Sequence, residues 1–415
     1  MRFLAVAPAE DDRRFVKGYP PRGAWLFLEP DLDISRLATI VEGTDRLDYI
    51  DLRVEELAWE GEVDLCLVRI DLDQEEAGHE LLSRFRTRNI RTLAFGPLPT
   101  RWGDRPPAWL GSYVVGDIAN AWPQVRADIE SGKLAGSYTA APEPRYIPAR
   151  RPFGRWPEMN CRQQVISFVV GCSCPKPVQD LCPARGYYGE RLHVRSREEV
   201  IGEVMDLPHK HVRLLDEDVA RFPEYYLDLF RELWNYRRHW TVSAGAGLFN
   251  LPRLIRLLAK AGTRLVMFND SFLGPHIARA TTDPATVRAL YRRVKLIQSR
   301  KMLIGARLSI NLDPGHELDW TAVATVLRRI DLDLLELLAW RSGDDGRPVP
   351  IPTRYEPMLT PGNPAWVRGR FYALDVILDR LARRPRRTGF YTTARYLLPY
   401  SLAYRQNYLE GIARP

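Results

Sequence analysis

Three of the five cysteines fall within eleven residues, in the run Gly171-Cys172-Ser173-Cys174 and then Leu181-Cys182, followed by Gly186-Tyr187-Tyr188-Gly189. Thiolates are soft, anionic ligands, and three of them presented from one loop suit an iron–sulfur cluster or zinc. Structural zinc normally takes four protein ligands. Three thiolates on a cluster instead leave one iron open to an exogenous ligand. An odd cysteine count, crowded into one loop, argues for ligation over a disulfide framework. Cys66 lies in an apolar run and reads as core. Cys161, ahead of the cysteine loop, is an alternative third ligand.

Other residues are candidates by type and place. Asp216, Glu217 and Asp218 close a strand-like run and would face a strand-end rim, where charge needs a partner. Gly245 and Gly247 permit close approach of backbone to a ligand, or shape a turn. Arg307 sits inside an apolar strand and needs a buried anion, either a carboxylate of the protein or one brought by a ligand. Tyr391, Tyr396, Tyr400 and Tyr404 lie near helical spacing, which favours packing over substrate contact.

The elements that must position these groups form two stretches of alternating strand and helix. In the first, strands are expected at Gly23–Leu28, Leu47–Leu52, Asp64–Ile70, Arg91–Gly96 and Ser112–Gly116, with helices over Asp33–Glu42 and Gln74–Arg86. Short apolar strands alternating with helices imply a parallel sheet covered on both faces, a doubly wound (Rossmann-like) domain over 1–138. Residues 139–160 hold five prolines and read as an extended linker. Six further strand–helix units fill 161–345, with strands at Val165–Val170, Val212–Asp216, Trp240–Ala244, Arg264–Phe268, Ile304–Ile310 and Leu332–Leu338. Ser196 followed by Glu199 is a capping box that starts one of the helices. Six units suit a partial (β/α)6, TIM-like barrel or a large open sheet, with ligands beyond the carboxyl ends of the strands in either case. Residues 346–415 read as a helical C-terminal region rich in Arg and Tyr.

Composition bounds the rest. At 415 residues, with 45% apolar and 27% charged residues, the chain can bury two cores. No apolar run reaches the roughly 20 residues that span a bilayer, and Met1–Pro8 is too short for a signal peptide. The cytoplasm is the expected compartment. The formal charge of +8 is spread along the chain, Arg383, Arg384, Arg386 and Arg387 forming the one tight cluster, so nucleic acid is not the expected partner.

The order of a doubly wound domain, a linker and a strand ending in Gly171-Cys172 resembles the cobalamin-binding radical S-adenosylmethionine (SAM) enzymes. Phe95-Gly96-Pro97-Leu98-Pro99-Thr100 and Val114-Val115-Gly116-Asp117 look like the family's turns at strand ends in its cobalamin domain. Tyr188-Gly189-Glu190-Arg191, Leu214-Leu215-Asp216-Glu217-Asp218 and Phe268-Asn269-Asp270-Ser271 look like segments that follow the cysteine loop and end the next strands. The resemblance implies a 4Fe-4S cluster on Cys172, Cys174 and Cys182. It places SAM near Ser243-Ala244-Gly245, Asp270 and Arg307, and cobalamin near Gly96, Pro97, Thr100 and Gly116. It further implies an external one-electron donor, a small-molecule or peptide substrate, and methyl transfer to an unactivated carbon or another SAM-derived group transfer. The chain departs from the family pattern in three ways: Cys-x-Cys-x7-Cys replaces Cys-x3-Cys-x2-Cys, Leu181 stands where an aromatic residue usually precedes the last cysteine, and Ser243-Ala244-Gly245 only loosely represents a Gly-Gly-Glu segment. An Asp-x-His-x-x-Gly sequence is missing, and His79, the lone histidine before the linker, reads as a surface residue. The alternatives are a catalytically degenerate relative acting as a binding or scaffold subunit, a structural zinc protein, and an N-terminal domain that holds no cobalamin.

Overall fold

The structure, a computed structural model, describes residues 1–9, 31–41, 45–53, 55–58, 61–148, 163–171, 183–207, 210–343, 346–351 and 362–405. Its first sheet is built from β1 (Arg2–Ala7), β2 (Arg46–Asp51), β3 (Leu65–Arg69), β4 (Thr92–Phe95), β5 (Ser112–Val115) and β6 (Ser137–Thr139), with α1 (Leu32–Ile40), α2 (Glu75–Arg86), α3 (Pro97–Trp102) and α4 (Ile118–Glu130) between them. All pairings are parallel, in the order β2-β1-β3-β4-β5-β6. The two-residue period of a strand sorts its side chains between two cores. Phe3, Ala5, Leu65 and Leu67 join Ile34 and Leu37 of α1 and Trp122 and Val125 of α4. Leu4, Val6, Cys66 and Val68 join Leu81, Leu82 and Phe85 of α2 on the other side. Both faces are therefore covered, and the winding reverses between β1 and β3, which defines a crevice at their carboxyl ends.

Strands β1 and β6 and helices α3 and α4 of this sheet are not among the elements expected from the sequence. Arg2–Ala7, weighed there only as a leader, is an interior strand paired on both sides, whereas the expected strand Gly23–Leu28 lies outside the described residues. Helix α4 carries Pro123 in its interior, which masks its pattern. Strand β6 extends to Thr139, the first residue of the expected linker, and 140–148 that follow have no regular structure.

The second sheet runs through β7 (Gln163–Ile166), β10 (His211–Leu214), β11 (His239–Ala244), β12 (Thr263–Phe268), β13 (Leu303–Asn311), β14 (Leu334–Ser342) and the antiparallel β15 (Pro348–Ile351). Before β10 stand β8 (Val169–Gly171), α5 (Pro183–Tyr188), β9 (Leu192–Val194) and α6 (Arg197–Asp206). Next come α7 (Pro223–Leu233), α8 (Pro252–Lys260), α9 (Gly274–Ala280), α10 (Pro284–Gln298) and α11 (Trp320–Ile330). The six parallel strands are neighbours in chain order. Right-handed crossovers in that order put every helix on one face and leave the other as an interior. Burial agrees: Trp240, Val242, Leu308 and Leu337 are buried, while Ser243, Met267, Arg307, Ser309 and Glu336 on the opposite face are only partly so. The sheet also curls. Strands β10 and β13 are three places apart, about 14 Å if flat, yet Glu217 just beyond β10 comes within 3.9 Å of Arg307 on β13.

Two expectations are corrected here. Val165–Val170 is not one strand: Ser167 and Phe168 interrupt it, and the second half turns away to pair antiparallel with β9. The C-terminal region is not wholly helical, because β15 begins it. Its helices α12 (Pro364–Phe371), α13 (Leu374–Arg383) and α14 (Leu398–Arg405) then pack back on the sheet, with a π-helical turn over Thr393–Leu397. The Ser196 capping box forms as expected. Among the described residues no helix is long and apolar enough to cross a membrane.

Candidate functional site

The strand break at Ser167–Phe168 is held by Asp216, whose carboxylate accepts from Phe168 N at 2.8 Å and Val169 N at 3.0 Å and from the Tyr226 hydroxyl. Burial outweighs these donors and raises its pKa to about 7. Asp216 is thus an anchor for the root of the cysteine loop. Gly171, the last residue before Cys172, has φ +123°, and a Cβ there would stand 2.4 Å from the O of Arg191, the residue just before β9. Only glycine fits that approach. Cys161, Cys172, Cys174 and Cys182 lie outside the described residues. The two ends of their loop do not: Gly171 and Ala184 line the same cleft, an opening of ≈ 700 Å³ between the two sheets.

The cleft is walled by α1 on one side and by Val165–Ser167, Leu215 and Glu217 on the other, with Tyr146, Tyr187 and Tyr188 between. The α1 wall of the cleft belongs to a largely buried charge network that no single motif signals, and Asp33, Arg36 and Tyr187 of that network line the cleft. Arg69, at the end of β3, pairs with Asp31 at 3.0 Å, Asp33 at 3.3 Å and Asp71 at 2.7 Å. Arg36 pairs with Asp117 at 2.6 Å, and the Tyr187 hydroxyl donates to Asp33 at 2.8 Å. Burial pushes Asp33 up to about 6, against the pull of Arg69, and raises the Tyr187 hydroxyl well above its usual value. The cluster sits at the switch between β1 and β3, and α5 docks onto it. A charged residue ending the apolar run Leu65-Cys66-Leu67-Val68-Arg69, and Asp33 and Arg36 on an otherwise apolar helix, were the available signals.

Gly96, Pro97, Thr100 and Gly116 do come together, one turn beside another. The Thr100 hydroxyl accepts from Gly116 N at 3.0 Å and donates to Gly96 O at 2.8 Å. Their other neighbour is α5, since a Cβ on Gly186 would stand 2.8 Å from Thr100 Cγ2. They form the contact between the first sheet and α5, and none of the four lines the cleft.

At the mouth of the second sheet, Ser243, Ala244 and Gly245 are bound to their neighbours. Asp218 accepts from Gly245 N at 2.7 Å, and a Cβ on Gly245 would fall 2.4 Å from the same carboxylate. The Ser271 hydroxyl accepts from Ala246 N at 2.9 Å. Asp270 accepts from Ser309 N at 2.6 Å, and burial raises its pKa. Arg307 meets Glu336 at 3.2 Å and Glu217 at 3.9 Å, and the Tyr404 hydroxyl donates to Glu336 at 2.6 Å. A chain of contacts therefore runs from the tail across the inner face of the second sheet to Glu217 on the cleft. Tyr396, Tyr400 and Tyr404 are buried as packing residues; Tyr391 is 42% exposed. His79 stacks on Trp109 at 4.5 Å.

The mixed α/β fold with its parallel sheets is similar to that of cobalamin-dependent radical SAM enzymes of known structure. The methyltransferase TsrM from Kitasatospora setae, solved with cobalamin and a [4Fe-4S] cluster, superposes with a TM-score of 0.56 at 15% identity, covering 82% of this chain and 75% of that one. A second TsrM structure, with tryptophan substrate and a SAM analogue, gives 0.56 at 16% identity over 81% and 72%. The cobalamin-dependent SAM radical enzyme OxsB, with aqua-cobalamin and SAM bound, gives 0.50 at 10% identity over 75% and 49%. In sequence, bacteriochlorophyllide d C-12(1)-methyltransferase of Chlorobaculum tepidum is 22% identical over 268 residues, 61% of this chain and 59% of that protein. The chain thus spans about three-fifths of that relative. No family model matches the sequence.

Proposed function

We propose that the chain is a radical SAM enzyme that transfers a methyl group, with cobalamin, to an unactivated carbon of a small molecule or peptide. What carries this reading is the root geometry of the cysteine loop: its ends at Gly171 and Ala184 open on one cleft between the sheets. The donor set fits the cluster, since three soft thiolates would hold three irons and leave the fourth open to the amino and carboxylate groups of SAM. When bound, these groups supply one-electron cleavage of a carbon–sulfur bond and a carrier for the methyl group.

The residues of this chain then bind and orient. The Ser243–Gly245 turn and Asp270, held by Asp218 and Ser309, offer SAM a rigid rim. Arg307 is already matched by Glu336 and Glu217, so this part of the rim suits the positive groups of SAM better than its carboxylate. Cobalamin is assigned to the cleft against Tyr146, Tyr187 and Tyr188, with Gly96, Pro97, Thr100 and Gly116 positioning α5 behind it. The division into 1–138, 139–160, 161–345 and 346–415, a cytoplasmic setting and an external one-electron donor belong to the same proposal. The likeness of fold and the methyltransferase relative support it.

Anaerobic reconstitution with iron and sulfide tests it. About four irons per chain, lost in Cys182→Ala, together with fragments of SAM after reduction and a cobalamin absorbance band, are expected. Tight zinc without iron would instead show a structural zinc protein; iron without turnover of SAM would show a scaffold.

A further inference from the structure

The two ends of the cysteine loop are carried by different sheets. Gly171, just before Cys172, belongs with the second: it pairs with Leu192 across β8 and β9, and Asp216 holds the amides of Phe168 and Val169 behind it. Cys182, at the other end, is joined directly to Pro183, the first residue of α5. That helix has six residues. Helices shorter than about 12 residues are marginal on their own, so the place of α5 is set by what it docks on.

Its polar anchors lie on the first sheet. The buried Tyr187 hydroxyl donates to Asp33 of α1 at 2.8 Å. The ring of Tyr188, also buried, has its centre 5.8 Å from the guanidinium carbon of Arg36, one turn further along α1. Arg36 is in turn paired at 2.6 Å with Asp117, the N-cap of α4. Gly186 lies against Thr100 of α3, where a Cβ would stand 2.8 Å from Thr100 Cγ2. Towards the second sheet α5 offers apolar contact instead, as Ala184, Tyr187 and Tyr188 share a small core with Val170 of β8. Apolar contact is non-directional, whereas a hydrogen bond to a carboxylate fixes a distance and an angle. Nine residues separate Cys172 from Cys182. A connection of that length reaches up to roughly 33 Å, so the loop itself leaves the spacing of its end thiolates open.

We propose, on the reading that Cys172 and Cys182 hold the cluster, that Tyr187 is a positioning residue for it: the bond to Asp33 fixes α5, and with it where Cys182 stands relative to Cys172. The last ligand is then held from the first sheet and the first ligand from the second, so the cluster is stable only while the two sheets stay docked. The wide spacing before Cys182 is what allows this, because it lets the last cysteine ride on an element anchored outside the second sheet.

The test is release of iron to a chelator from the anaerobically reconstituted full chain. Tyr187→Phe should release iron about tenfold faster or more than the wild type, as expected when a partner behind a metal ligand is lost. Tyr138→Phe removes a like bond, from a tyrosine hydroxyl on β6 to Asp128 of α4 at 2.9 Å, and leaves the rate unchanged. Gly186→Ala pushes α5 against Thr100 without altering the buried carboxylates, and should speed release likewise. Adding Thr100→Ser removes the obstructing methyl, keeps the hydroxyl and restores the wild-type rate, a recovery that general loss of stability would not show. A wild-type rate in Tyr187→Phe overturns the positioning role while the cluster assignment stands, as does equal acceleration in Tyr138→Phe. A wild type that binds no iron overturns the cluster assignment and the positioning role together. Should Tyr187→Phe not fold, Gly186→Ala carries the test, and a wild-type rate there overturns the proposal.

Discussion

The two sheets are written in the same alternation of strand and helix, yet they present opposite kinds of strand end. In the first, the order β2-β1-β3-β4-β5-β6 reverses direction, helices cover both faces, and the charges at the switch form one largely buried network joined to α5 through Tyr187. In the second, neighbouring strands follow chain order, and the helices take one face. The other keeps a polar lining of Ser243, Arg307, Ser309 and Glu336. Strand order decides whether right-handed crossovers place helices on both faces of a parallel sheet or on one.

The comparison makes its largest prediction at the two arginines. Arg69 is surrounded by three carboxylates, all within 3.3 Å. Arg69→Met strands buried charges, and a loss of about 3–5 kcal/mol in unfolding by urea is expected. Arg307 has one carboxylate at 3.2 Å and a second at 3.9 Å. Arg307→Met should cost about 1–3 kcal/mol. Equal losses would mean that the number of close carboxylates does not set the difference.

A smaller effect separates the sheets by pH. Asp216, at the root of the cysteine loop, is raised from 3.8 to about 7 by burial. An acid raised on folding stabilises the fold fully below its unfolded value, and that contribution is lost as pH rises through its folded value. Stability attributable to Asp216 should therefore fall between about pH 4 and 7, by up to roughly 1.4 kcal/mol per unit. Asp216→Asn removes that slope and leaves the one from Asp33 on α1, which spans the narrower window from 3.8 to about 6. Urea midpoints at pH 5 and pH 7.5 for both proteins check this; an unchanged slope would show that Asp216 is ionised in the fold.

Much of this arrangement is legible in the sequence, because it follows from local pattern. The apolar runs at Leu65–Arg69 and Leu303–Asn311 and the Ser196–Glu199 cap are properties of a few adjacent residues. What sequence reading misses is decided by distant partners. Arg2–Ala7 is a central strand only because β2 and β3 flank it. Val165–Val170 looks continuous until Asp216, nearly fifty residues on, takes its amides. The Arg69 network joins residues more than a hundred positions apart through Tyr187 and Asp33, so no window along the chain contains it. Arg307 was legible as a charge needing a partner, but not that Glu336 and Glu217 would both supply one.

The smallest predicted effect concerns the cysteine of the closed sheet. Cys66 is wholly buried on β3, in register with Leu4 on one side and Thr92 on the other. Burial holds its thiol well above the usual range, so it stays protonated and cannot act as a soft anionic ligand. Valine fills nearly the same space, and Cys66→Val should cost less than about 1.5 kcal/mol. Iron bound after anaerobic reconstitution should be unchanged, in contrast to its loss in Cys182→Ala. Reduced iron in Cys66→Val with unaltered stability would mean that the covered sheet, and not the cleft between the sheets, holds part of the metal site.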